Sequence, residues 1–188
     1  MAAVCDCFPE LKSVTEAREA RYRADPGKRA PEGPQSSLEI SVTSVGNLNE
    51  RVETRNSGQS FVISEPKHVG GLADAPTPLE YLLSGAVGCY AAVFAFYAAK
   101  MGVSYESFEA VARTSFDVRG HMMPDAPPSG FQKVSIAINV KSDAPPEKLA
   151  EIERLALQGC PGIATLRDPV AVETTLAVVP AARQAASV

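Results

Sequence analysis

Hydrophobic positions in this chain fall into several alternating runs and one long, almost purely apolar stretch. Residues 38–45 (LEISVTSV) alternate apolar and polar side chains, a period-2 pattern that predicts a strand. RVETR (51–55) and SFVIS (60–64) flank Asn56-Ser57-Gly58, which predicts a hairpin with a glycine-bearing turn. FEAVARTSFDV (108–118) and GFQKVSIAINVKS (130–142) predict two further strands. In the second of these, Val134, Ile136, Ile138 and Val140 share one face. VAVETTLAVV (170–179) predicts the last strand.

The long apolar stretch, TPLEYLLSGAVGCYAAVFAFYAAKMG (77–102), predicts a central helix. Thr77 stands as its N-cap, Pro78 at the first helical position and Glu80 at the third, the pattern of a capping box. From Tyr81 to Ala99 it carries no charge and reaches membrane-spanning length. Its Ala, Gly, Ser and Tyr content, beside amphipathic strands that need something to pack on, predicts a buried core helix instead. A second helix is predicted after Asp143, with Pro145 and Pro146 near its first turn and Leu149, Ile152, Leu155 and Ala156 forming an apolar stripe. Gly159 is placed to end it, and residues 161–166 form a short further turn. The order strands, helix, strands, helix, strand predicts an α+β fold with antiparallel sheet around the central helix. One curved sheet cannot cover a helix that is apolar on all sides, so a dimer is expected.

Composition adds boundaries. The 188 residues suit one domain with a sizeable core, and a formal charge of -4 argues against a nucleic-acid surface. No basic run suggests a membrane-attracted patch. The start MAAVCDCFPE lacks the basic and apolar parts of a secretion signal, so a cytoplasmic, thiol-reducing setting is expected. Residues 1–37 read as an appendage, with a charged helix over 10–24 followed by the linker DPGKRAPEGPQSS. Residues 38–180 form the domain and 181–188 a tail. Cys5 and Cys7, without a nearby His or further Cys, read as exposed tail thiols and not as a metal site.

The candidate chemistry lies in two thiols. Cys89 sits inside the central helix and Cys160 in the turn GCPG that closes the second one, a layout in which one sulfur attacks and the other captures. Cys89 is too deep in its helix for the N-terminal dipole to favour its thiolate, so a cation is required; Arg51 and Arg55 of the preceding hairpin are the candidates. The plain alternative is a small, inert core cysteine. His68 and His121 lie in loop-like contexts and would make a Cys–His hydrolase only if one of them folded onto Cys89. Tyr90, Phe94, Phe96 and Tyr97 cover several faces of the helix and read as core, able to wall an apolar pocket beside Cys89.

The strings GGLADAPTPLEYLLSGAVGCYAA, GFQKVSIAINV and CPGIATLRDPVAVETTLAV together resemble the OsmC/Ohr family of thiol-dependent peroxidases, over about residues 50–179. The resemblance implies an intertwined homodimer in which sheets of both subunits wrap two central helices. It also implies that Cys89 is the peroxidatic and Cys160 the resolving cysteine. Arg55 is the implied guanidinium, because TRNSGQSFVISEP is similar to the family stretch before the GG loop. The expected reaction is reduction of apolar organic hydroperoxides through a Cys89 sulfenic acid and a Cys89–Cys160 disulfide. An external dithiol, in this family often a lipoylated protein, would supply the electrons. No metal, flavin or haem is implied. One position departs from the organic-hydroperoxide branch: the residue after the helix-opening proline is Leu79, and the acid follows as Glu80, which fits the capping role. Two other readings share the pattern: a small-molecule binding module with incidental cysteines, and a hydrolase with Cys89 as nucleophile.

Overall fold

The computed structural model describes residues 8–25, 36–123 and 125–178. Cys5, Cys7, the centre of the proline-rich linker and the 181–188 tail lie outside these residues. The elements in chain order are α1 (Phe8–Ala24), β1 (Ile40–Gly46), β2 (Asn49–Thr54), β3 (Ser60–Ser64), α2 (Pro78–Lys100), β4 (Ser107–Ser115), β5 (Lys133–Lys141), α3 (Pro146–Gly159) and α4 (Pro161–Arg167). The strands form two antiparallel sheets, β1-β2-β3 and β4-β5. The fold is therefore α+β with antiparallel sheets, as the pattern predicts.

The core lies between α2, α3, α4 and the β4-β5 pair. Tyr90, Phe94 and Ala98 of α2 are buried against Val103, Tyr105, Ile152, Ala156, Cys160 and Ile163. On α3 the predicted stripe is real: Ile152 and Ala156 are fully buried, with Leu149 and Leu155 half-buried beside them. In β5 the alternation is strict, with Val134, Ile136, Ile138 and Val140 turned inward and their neighbours exposed. Each large apolar side chain buried in this way contributes about 1.5–3 kcal/mol. Phe94 meets Tyr105 and Phe108 at ring-centroid distances of 5.9 and 4.9 Å, joining α2 to β4.

The first sheet is tied on by fewer contacts. Phe61 stacks on Tyr81 at 4.7 Å, and the Tyr81 hydroxyl donates to the Val62 carbonyl at 3.1 Å. Behind β3, the buried Ser64 hydroxyl donates to Asn49 Oδ1 (2.7 Å), and Asn49 Nδ2 donates to Asp74 Oδ1 (2.9 Å). This chain of polar groups fastens β2 and β3 to the loop that enters α2. Gly71 is required in that loop, because a Cβ there would lie 1.9 Å from the Glu65 carbonyl oxygen.

Three expectations need correction. First, the described helix within residues 1–37 does not stand apart from the domain. Helix α1 packs on α2, burying Thr15, and Lys100 Nζ donates to Glu19 Oε2 at 2.5 Å. Second, α2 is not enclosed by sheet within one chain. Its main neighbours are α3, α4 and α1, and Leu79 and Leu82 near its start are exposed. Third, the predicted last strand does not form: residues 169–178 have no regular structure, and Val172, Leu176 and Val178 are more than 80% exposed. Alternation specifies one apolar face but supplies no hydrogen-bonding neighbour, and this segment has none among the described residues.

Candidate active site

The two cysteines are brought together by the packing of α4 on α2. Gly159 ends α3, and Cys160 is at once its C-cap and the N-cap of α4. Pro161 starts α4 with a fixed φ suited to a first helical position. Gly162 then permits a close approach: a Cβ on it would meet Ala86 Cα at 3.0 Å and Cys89 Cβ at 3.1 Å. Each position of GCPG thus has a task, and the result is to lay the start of α4 across α2 at Cys89. Gly162 is the site residue that sequence reasoning missed, although its motif was visible.

Cys160 is fully buried, while Cys89 is partly exposed; both are free thiols. The two side chains lie near enough for the Cys89 thiol to weigh on that of Cys160. Burial pushes the Cys160 thiol above its ordinary value. The amide N–H of Ile163, 3.5 Å from the sulfur, works against that, and the contact with Cys89 adds to it. Cys160 is consequently a protonated thiol at neutral pH, held against a more accessible partner.

The proposed cation has an acidic partner of its own. Strand β2 stops at Thr54, so Arg55 opens the turn instead of sharing a strand face with Arg51, and its guanidinium Nε lies 2.7 Å from Glu39 Oε1. Arg51 lies in β2 opposite Val62. Among the described residues no hydrogen bond joins an arginine or a histidine to either sulfur. His68 sits in the short turn Lys67–Val69 and His121 at the end of the turn Val118–His121. Glu80 forms the capping box: its Oε2 accepts from the Thr77 amide (2.7 Å) and hydroxyl (2.8 Å), and Thr77 Oγ1 accepts from the Glu80 amide (3.3 Å). Those bonds, led by the Thr77 amide, hold the Glu80 carboxyl below its usual range. Among the described residues no group of His, Cys, Asp and Glu is arranged to hold a metal.

The sequence model of the family described as OsmC-like protein matches residues 71–175, over half the chain and inclusive of both cysteines. The chain belongs to the OsmC-like family. Solved OsmC-like structures share the fold at low identity. A putative osmotic stress induced and detoxification response protein from Psychrobacter arcticus is 19% identical with a TM-score of 0.58, covering 70% of this chain and 90% of its own. An OsmC like protein from Mycoplasma pneumoniae is 17% identical with a TM-score of 0.61, covering 71% and 89%. An organic hydroperoxide resistance protein OsmC from Legionella pneumophila is 19% identical with a TM-score of 0.53, covering 71% and 91%. No curated protein matches. The OsmC-like match begins at Gly71, so α1 and the β1-β2-β3 sheet precede it.

Proposed function

We propose that this OsmC-like chain is a thiol peroxidase that reduces organic hydroperoxides as a cytoplasmic homodimer. The observation that carries the reading is the contact between a partly exposed Cys89 and a buried Cys160. A Cys89 thiolate attacks the terminal oxygen of ROOH. The O–O bond breaks, the alcohol leaves with a proton, and Cys89 becomes a sulfenic acid. The Cys160 thiol then displaces water from that sulfur, forming the disulfide. An external dithiol, such as a lipoylated protein, returns two electrons and two protons.

Arg55 is the guanidinium proposed to favour the thiolate and the departing oxygen. Within one chain it is engaged with Glu39, so this role requires a sheet of the second copy to bring it to the sulfurs. The open apolar faces of the first sheet and of residues 170–178 support such an assembly. The hydrolase reading lacks the Cys–His contact it needs among the described residues. α2 is long and apolar enough to cross a membrane by length and composition. Its burial of Tyr90, Phe94, Ala98 and Ala99 against other elements supports reading it as a core helix, with no membrane partner.

Substitution tests the division of labour. Cys89→Ser is expected to abolish turnover of cumene hydroperoxide, measured with a dithiol reductant. Cys160→Ser is expected to consume one equivalent and then stall. Full turnover by the Cys89→Ser protein would remove the mechanism.

A further inference from the structure

A groove of about 540 Å³ runs between α1 and the C-terminal part of α2. That volume is in the range of small-molecule sites. The groove exists because the two helices meet through a small side chain. Leu11, Thr15, Glu19 and Tyr22 are the described α1 positions withdrawn from solvent, spaced to share one face, but only the short Thr15 is fully buried. The space beside it stays open. Leu11, Val14 and Tyr22 of α1 and Phe96 and Tyr97 of α2 wall it, so most of its surface is apolar. Val14 is left 57% exposed, and an apolar chain laid along it would remove that surface from water.

The charges at the groove narrow the occupant. Arg18, Arg23 and Lys100 border it with a single acid, Glu19. Glu19 accepts from Lys100 Nζ at 2.5 Å and from Arg23 Nε at 2.9 Å, and these bonds hold its carboxyl below its usual range. It is therefore ionised and fully engaged at neutral pH. Arg18 has no hydrogen bond or ion pair among the described residues. Three cations stand against one acid, and the guanidinium of Arg18 is the one left without an oxygen partner. A cationic ligand is disfavoured there, and a neutral one leaves Arg18 unused. One free guanidinium fork matches one carboxylate.

We propose that this groove binds a medium-chain fatty acid in its ionised form, with the chain lying between α1 and α2 along Val14 and Phe96 and the carboxylate paired with Arg18. The site goes beyond the peroxidase reading and does not rest on it, because neither cysteine lines the groove and Phe96 lies about 10 Å along α2 from Cys89. Half of it is supplied by α1, which precedes the residues matched by the family model.

The test is calorimetric titration of the full-length protein with octanoate and, separately, with octanol, which has the same chain and no charge. Saturable binding of octanoate is expected, tighter than that of octanol and weakened by added salt, whereas octanol binding is unmoved by salt. Arg18→Gln is expected to weaken octanoate about fivefold, the upper range for one exposed ion pair, and to leave octanol unchanged. Val14→Asp, a change at an exposed position, sets a carboxylate against the chain and is expected to abolish binding of both. Cys89→Ser is expected to bind octanoate as the native protein does, which separates this site from the thiol chemistry. No saturable binding of octanoate, equal affinity for octanol, an undiminished affinity in Arg18→Gln or Val14→Asp, or loss of binding in Cys89→Ser would each overturn the proposal.

Discussion

Around Cys160 the chain closes a core of its own, whereas the β1-β2-β3 sheet and residues 169–178 hold apolar faces open. In the first region Tyr90, Phe94, Ile152 and Cys160 are each at most 1% exposed. In the second, the register places Ile40 and Val42 on one face with Val52, Phe61 and Ile63, yet Ile40 and Val42 are more than half exposed. Val170, Val172, Leu176 and Val178 likewise share the even positions of a segment without regular structure that the described residues leave exposed. Both regions have the pattern of buried structure, but only one buries it alone. What the difference teaches is where the single chain ends as a folding unit: the open faces are what the proposed second copy would cover, and the closed half is a scaffold that holds the two thiols near each other.

The largest effect expected from attacking this contrast is on assembly. Val172→Asp with Leu176→Asp places two charges on the open face and is expected to convert dimer to monomer in sedimentation, while the helical circular dichroism of the closed half persists. A native protein that sediments as a monomer would break the contrast at once. In the closed half, Ile152→Ala is expected to lower unfolding stability by about 2–5 kcal/mol, read from the denaturant midpoint, because it leaves a cavity in a packed core.

A smaller effect concerns pH. The Tyr90 hydroxyl is pushed up to about 12 by burial first, then by Glu153 of α3 and by Cys160, with Lys133 of β5 and Arg167 of α4 bordering the same β5–α3–α4 cavity as Tyr90. A folded value above the ordinary value of 10 means that the folded state holds the proton more tightly. Its stabilising contribution is fully present below pH 10 and is lost as the pH rises from about 10 to about 12, amounting to roughly 2–3 kcal/mol. Denaturation midpoints of native and Tyr90→Phe protein should therefore separate as the pH rises above 10, the native midpoint falling further than that of the variant. The Cys160 share, also of raised value, remains in both.

Much of the closed half was legible in the residues. The alternation of Val134 to Val140, the stripe of Leu149, Ile152 and Ala156, and the Thr77–Glu80 capping box each follow from local periodicity or capping chemistry, and each formed as expected. The meeting of Cys89 and Cys160 was not derivable that way, since 71 positions separate them and the contact depends on Gly162 fitting between Ala86 and Cys89. The docking of α1 was hidden because its apolar residues form no clear stripe; it meets α2 through the buried Thr15 and the ion pair of Glu19 with Lys100. The last strand failed for a different reason. Period-2 alternation describes the face of a strand, while its existence depends on a neighbour that residues 170–178 lack among the described residues. Arg55 was misplaced by a single position, because the hairpin turn begins one residue earlier than its apolar flanks suggest.

The central claim is that Cys89 and Cys160 form a reactive pair. Mass spectrometry of the fully reduced protein before and after one equivalent of cumene hydroperoxide tests it most directly. The account predicts a loss of about 2 Da, two hydrogen atoms, with peptide mapping joining the Cys89 and Cys160 peptides. Recovery of both thiols unmodified, or oxidation mapped to other residues with this pair intact, would contradict it.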